Sequence, residues 1–200
     1  GVNQLEGYIK SRYIPDDVDY PDIQYFTYTD IVPKYHEKCT AKLTRPLAYY
    51  NQVFYMAALV RPDSRGYITI NSKDSFAPPL IYPNFFQSKK DLNIIIDAMN
   101  SAVKLSKTRS LREAGYTLNT TPTKRCAHHI FGTDNYWICL AKNHTQTLFH
   151  QAGTCKMGPS KDPNAVVDPE LRVYGIKGLR VADASIMPVV VSGNLNAGVI

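Results

Sequence analysis

An α+β fold, an antiparallel sheet backed by helices, is what this sequence predicts, and three features predict it. Runs of β-branched and aromatic residues at 23–28, 53–60 and 67–70 have the composition of strands, because such side chains pack well on a pleated, half-buried surface. The last two runs are separated by Arg61-Pro62-Asp63-Ser64-Arg65-Gly66. That turn chemistry predicts that the flanking strands pair antiparallel. Over 91–107, Leu92, Ile95, Ile96, Met99, Val103 and Leu105 fall largely on one face, the clearest amphipathic helix in the chain.

The remaining elements follow in order. The opening stretch is rich in Tyr, Pro and Asp, and Tyr20-Pro21-Asp22 leads into the strand at 23–28. Residues 31–52 are mixed and read as loop or short helix. Pro78, Pro79 and Pro83 punctuate an extended loop. Ser88 is the expected cap of the long helix, with Asp91 three residues on as an acidic variant of the capping box. Short helices are expected over 110–114 and 134–140, the second with Trp137 on its buried side. Residues 179–182 read as a buried strand, and 183–185 turn out of it. Pro188 and Gly193 mark another turn, after which Asn194 is the expected cap of a helix that has barely begun at Ile200. With that ending, and no initiating Met, the chain is expected to be a piece of a longer protein.

Composition narrows the class. Of the 200 residues, 44% are hydrophobic and 20% charged, which is globular rather than disordered. The net charge of +6 is dispersed, and basic pairs such as Lys89-Lys90 and Lys124-Arg125 are isolated. A nucleic-acid surface needs clustered charge, so that class is disfavoured. The longest apolar runs, such as 53–60, fall far short of the roughly 20 residues of a membrane span. Four cysteines (Cys39, Cys126, Cys139 and Cys155) include no C-x-x-C pair. They are too sparse for a disulfide-held miniprotein, and leave one or two disulfides open. Asn119-Thr120-Thr121, with Pro122 directly after it, and Asn143-His144-Thr145 fit the glycosylation sequon; such short patterns recur by chance, and they tilt only gently towards a secreted protein.

Two segments carry chemistry. The first runs from Leu148 through His150, Gly153, Thr154 and Met157 to Gly158, and the second covers 178–188 and then 192–197. His150 lies between an aromatic residue and a Gly/Thr turn, a setting that can present an imidazole to a cleft. Imidazole titrates near neutral pH, so it can take and return a proton under working conditions. Each residue alone also has a bland reading, His150 as a hydrogen-bonded core histidine and Asn194 as a helix cap.

Together the segments resemble the glucose–methanol–choline (GMC) family of flavin oxidoreductases. The family pattern H-x-x-G-T-x-x-M-G is met by His150, Gly153, Thr154, Met157 and Gly158. Its acidic-Pro stretch ending in R-V-x-G is met over 168–175, and G-L-R-V-x-D-A-S-x-x-P is met in full over 178–188. A second His or Asn is expected, and Asn194 stands 44 residues after His150. The resemblance is strongest over 145–200 and continues more loosely through the R-P-x-S-x-G of 61–66. The spelling of 153–159 and Tyr136-Trp137 is most similar to insect glucose-dehydrogenase-type members.

The resemblance implies a substrate domain over 1–145 and, over 146–200, a catalytic segment returning to an FAD-binding domain. It implies FAD as cofactor and an alcohol or sugar hydroxyl as substrate. His150 would take the hydroxyl proton while the carbon-bound hydrogen leaves as hydride, and Asn194 would hold the substrate oxygen. Asp183 and Ala184 would lie by the flavin's ribityl–phosphate region, and Asn196 and Ala197 by the pyrimidine end of the ring. If Asn194 begins a helix, the dipole there favours the negative charge of reduced flavin. The G-x-G-x-x-G turn that cradles a dinucleotide pyrophosphate is absent from these residues.

Two rivals stand beside this reading. Cys126, His128, His129 and Cys139 cluster, with His144, His150 and Cys155 further on, but the spacing matches none of the usual zinc patterns. A binding relative that kept the fold without the activity is the other, and retention of both His150 and Asn194 argues against it.

Overall fold

The computed structural model describes residues 3–30, 52–71, 73–74 and 76–200. Cys39 and most of the expected loop or short helix at 31–52 lie outside them, while Gln52 opens a strand. The chain divides into two compact units, Gly1–Leu59 with Ile94–Cys139, and Val60–Asn93 with Leu140–Ile200.

In the first unit β1 (Asn3–Ile9), β2 (Ile23–Asp30) and β3 (Gln52–Leu59) form an antiparallel sheet in that order. The register aligns Leu5, Thr27 and Tyr55, then Gly7, Tyr25 and Ala57, then Ile9, Ile23 and Leu59. Side chains alternate along each strand, so these residues share one face. Helix α1 (Lys89–Ser106) packs Ile94 and Ala98 against Ile23, with Tyr25, Ala57 and Leu59 around them. Ile23 and Ile94 are fully buried, and each such side chain stabilises by roughly 1.5–3 kcal/mol. The Tyr25 hydroxyl donates to the Ala98 carbonyl at 2.7 Å. The connection between β1 and β2 is tied by buried Asp22, which accepts from the Ser11 amide at 2.7 Å and its hydroxyl at 2.6 Å.

Helices α2 (Arg109–Glu113) and α3 (Asp134–His144) stand where short helices are expected, with α3 running four residues further than its pattern suggested. Trp137 is buried as expected. It stacks edge-on with Tyr136 and Phe131, and its indole N–H donates to Asn100 Oδ1 at 2.9 Å. Cys126 and Cys139 form a disulfide. Both sulfurs of the conceivable metal cluster are thereby engaged, which leaves His128 and His129 as a ring pair with no thiolate partner from Cys126 or Cys139. A disulfide cannot supply the Cys ligands that zinc takes as thiolates.

The second unit corrects the predicted hairpin. The run at 67–70 does not pair with 53–60. Instead β4 (Tyr67–Thr69) pairs with β5 (Leu80–Tyr82), a strand hidden among the prolines of the expected loop. The cause is Asp91, 1% exposed, whose carboxylate accepts from the amides of Asp63 and Ser64 at 2.8 and 2.7 Å. Those bonds fix the 61–66 connection from a residue almost 30 positions away. They also correct the capping box, since Asp91 is spent on Asp63 and Ser64 while the Ser88 amide donates to Ser64 Oγ at 3.0 Å. Gly66 is required here. A Cβ would stand 2.3 Å from the Tyr82 carbonyl oxygen.

Residues 156–181 form an irregular meander around buried Val167, closed by isolated bridges from Val167 to Met157 and Val173 and from Arg172 to Arg180. The buried strand expected at 179–182 is not formed. Arg180 makes only that single bridge, and Leu179 is 47% exposed. Asn194 does not cap a helix. The last helix, α4 (Asn196–Val199), begins two residues later with Leu195 at its cap. Among the described residues, no helix is long and apolar enough to cross a membrane.

Candidate functional site

The two motifs meet along the main chain. The amides of Gly153, Cys155 and Met157 donate to the carbonyls of Ala184, Ser185 and Ile186 at 3.3, 2.8 and 2.8 Å. The segment after His150 and the segment after Asp183 are therefore one piece of structure. Gly153 makes the approach feasible. Its φ is +90°, in the region that favours glycine, and a Cβ would lie 3.0 Å from the Met187 carbonyl oxygen.

His150 is half-buried and sits on a turn shaped by Thr147. The Thr147 hydroxyl accepts from the Phe149 amide at 3.1 Å, and the Gln151 side chain donates to the same oxygen. Phe149 adopts φ +61° with its ring exposed, a conformation that costs a non-glycine residue about 1–3 kcal/mol and that clusters at functional sites. Sequence reasoning passed over Thr147. Its signal was a Thr two residues before the aromatic, the spacing of a side-chain turn onto the backbone.

Asp183 caps the 3₁₀ turn Ala184–Ile186, and its carboxylate accepts from the Ser185 amide at 2.8 Å. Hydrogen bonds from Ser185, side chain first and then backbone, hold its carboxyl below the usual range, so it is ionised at neutral pH. Asn194 lies exposed on the turn before α4, and Asn196 and Ala197 are exposed at the start of that helix. Arg61 reaches Ser192 with a long hydrogen bond of 3.4 Å, which ties the R-P turn to the stretch before Asn194. Among the described residues no side-chain hydrogen bond restrains His150 or Asn194, nor joins one to the other. Beside the motif, Lys156 pairs with Asp162 at 2.6 Å and lowers that carboxyl's pKa, chiefly through this hydrogen bond.

An apolar groove of about 300 Å³ lies elsewhere, within the first unit, lined by Leu5, Gly7, Tyr25, Tyr55, Ser101 and Leu105 among others. None of the predicted site residues lines it.

A turn-borne histidine, a buttressing D-A-S turn and an exposed Asn are a motif set rather than a generic surface, and the comparison with known families agrees. The GMC oxidoreductase family model matches residues 62–200, and the chain belongs to that family. Among individual relatives, it is 38% identical over 197 residues to "Glucose dehydrogenase [FAD, quinone]" of Drosophila melanogaster, covering 98% of this chain and 31% of that protein. The protein of the same description from Drosophila pseudoobscura pseudoobscura is 46% identical over 140 residues, covering 70% and 22%. A formate oxidase structure from Aspergillus oryzae RIB40 aligns with a TM-score of 0.67 at 27% identity, covering 90% of this chain and 29% of that one. The chain thus spans about a third or less of the length of each.

Proposed function

We propose that the protein oxidises a primary alcohol or sugar hydroxyl with FAD, and that residues 146–200 carry the chemistry while 1–145 shape the substrate side. The observation that carries this reading is the main-chain pairing of 153–157 with 184–186, which makes the two family motifs a single frame.

The residues present suit a flavin. The N–H groups of Asn196 and Ala197 open α4 and have no acceptor within the helix. As exposed donors they match the carbonyl-rich end of the ring. The ionised, exposed Asp183 carboxylate matches ribityl hydroxyl donors, with Ala184 beside it. Bound FAD supplies the acceptor for the hydrogen that leaves carbon with its electron pair. His150 takes the hydroxyl proton on a ring nitrogen, which pushes electron density towards the C–H bond. Asn194 holds the oxygen through its carboxamide N–H. Positioning within hydrogen-bond reach contributes more than raw basicity. Both named Drosophila relatives are described as glucose dehydrogenases using FAD and quinone, which supports this substrate class.

The test is anaerobic mixing of the natural protein with a panel of alcohols and sugars, following the oxidised flavin band. One class of substrate should bleach it, and His150→Ala should slow that bleaching by about 10²–10⁴-fold. Bound flavin that no alcohol or sugar reduces would leave the protein a binding relative. Near-normal reduction in His150→Ala would remove the histidine from the mechanism.

A further inference from the structure

We propose that Asn119 is an N-glycosylation acceptor and that the protein matures in an oxidising, secretory compartment. The proposal stands apart from the flavin chemistry. Asn119-Thr120-Thr121 satisfies the N-x-T acceptor pattern. Short patterns recur by chance, so two structural observations bear the weight.

The first is placement. Between α2 and the 3₁₀ turn Lys124–Cys126 the chain is irregular, and every residue from 112 to 121 is exposed. Asn119 Oδ1 accepts from the Thr121 amide at 3.0 Å. This turns the oxygen back towards the chain and leaves the carboxamide nitrogen as the outward end. A glycan there displaces no packed side chain. Tyr116 and Leu118, 49% and 39% exposed, stand just before it and offer apolar surface for the attached sugar to shield.

The second is compartment. Cys126, five residues past the acceptor triplet, is bonded to Cys139. Disulfides form and persist in oxidising compartments and are rare in the cytosol. Asparagine-linked glycans mark secreted proteins in the same way. The bridge and the sequon, independent features of the stretch from Asn119 to Cys139, point to the same route.

The transfer balances simply. The Asn119 amide nitrogen attacks the anomeric carbon of a lipid-linked diphospho-oligosaccharide. A carbon–nitrogen bond forms, the bond from that carbon to the phosphate oxygen breaks, the lipid diphosphate leaves with the electron pair, and the amide proton passes to a base on the transferring enzyme.

The experiment is peptide mapping of the full natural chain, expressed through a eukaryotic secretory route. A glycan-cleaving amidase in isotopically heavy water marks each formerly glycosylated Asn as labelled Asp. Non-reducing digestion of the same sample reports the Cys126–Cys139 bridge. The expected result is label at Asn119, with the bridge intact. Asn119→Gln should lose that glycopeptide and run smaller by one glycan. Should that variant fail to be secreted, Thr121→Ala, which keeps the Asn but breaks the acceptor pattern, should give the same loss. Asn143→Gln, altering the sequon in the last turn of α3, should leave the Asn119 glycopeptide in place. An unmodified Asn119 peptide overturns the acceptor assignment, whether the bridge is present or not, and free thiols at Cys126 and Cys139 remove the bridge from which the compartment is argued and overturn that part.

Discussion

Replacing Asp91 by Ala tests the anchor that steers the chain from 61 to 66. The carboxylate is 1% exposed and accepts two backbone amides, from Asp63 and Ser64. A hydrogen bond to a charged group contributes about 1.5–3 kcal/mol. Asp63 is exposed and Ser64 only half-buried, so water recovers part of the loss and the lower end applies to each. Two bonds then sum to about 3 kcal/mol, the expected loss of unfolding free energy, read as a lower midpoint in denaturant unfolding of the natural protein. Asp91→Asn keeps one acceptor oxygen without the charge and should fall between. A change within about 0.5 kcal/mol, the scatter of inert surface substitutions, would refute the claim that this carboxylate holds the connection.

Two further outcomes are expected. Gly153→Ala must place a Cβ near the Met187 carbonyl at φ +90°. A shift of the His150 turn by about 1 Å should slow flavin reduction roughly 10²-fold, and unchanged rates with an unchanged melt would remove Gly153 from the frame. Tyr25 is pushed up to about 12 from 10.0, first by burial and then by the Asp97 carboxylate, with Ser101 opposing. A folded pKa above the unfolded one means stability that is whole below pH 10 and drains away as pH rises towards 12. Tyr25→Phe should lower the unfolding free energy modestly at neutral pH, by about 1 kcal/mol, and show a shallower decline across that window. Parallel curves would rule the hydroxyl out.

Local pattern was enough for some of the architecture. Ile23 to Tyr28 and the run at 53–60 are strands because β-branched and aromatic residues crowd there, and α1 follows its apolar period. The helix list still passed over Ile94 and Ala98, two of its deepest residues, and included Leu105, which is 42% exposed. β1 was illegible because its alternation is short and broken by Gly7, and β5 because prolines surround three strand residues. The hairpin prediction failed on a long-range cause, the grip of Asp91 on Asp63 and Ser64, which no window around 61–66 contains. In the candidate site the motifs were readable as residue types. Their union was not, because it is made by amides and carbonyls that every residue carries alike.

A frame made of main chain shapes how such a protein changes over generations. The frame joining 153–157 to 184–186 is built from main chain alone, and only Gly153 is held to one residue type by a close approach. Cys155, Met157 and Ile186 contribute the same amides and carbonyls whatever their side chains. Their chemistry can drift, and the reach or polarity around His150 can be retuned, while the scaffold beneath keeps its register. A lineage with this arrangement can explore new substrates one side chain at a time without first unlearning its fold.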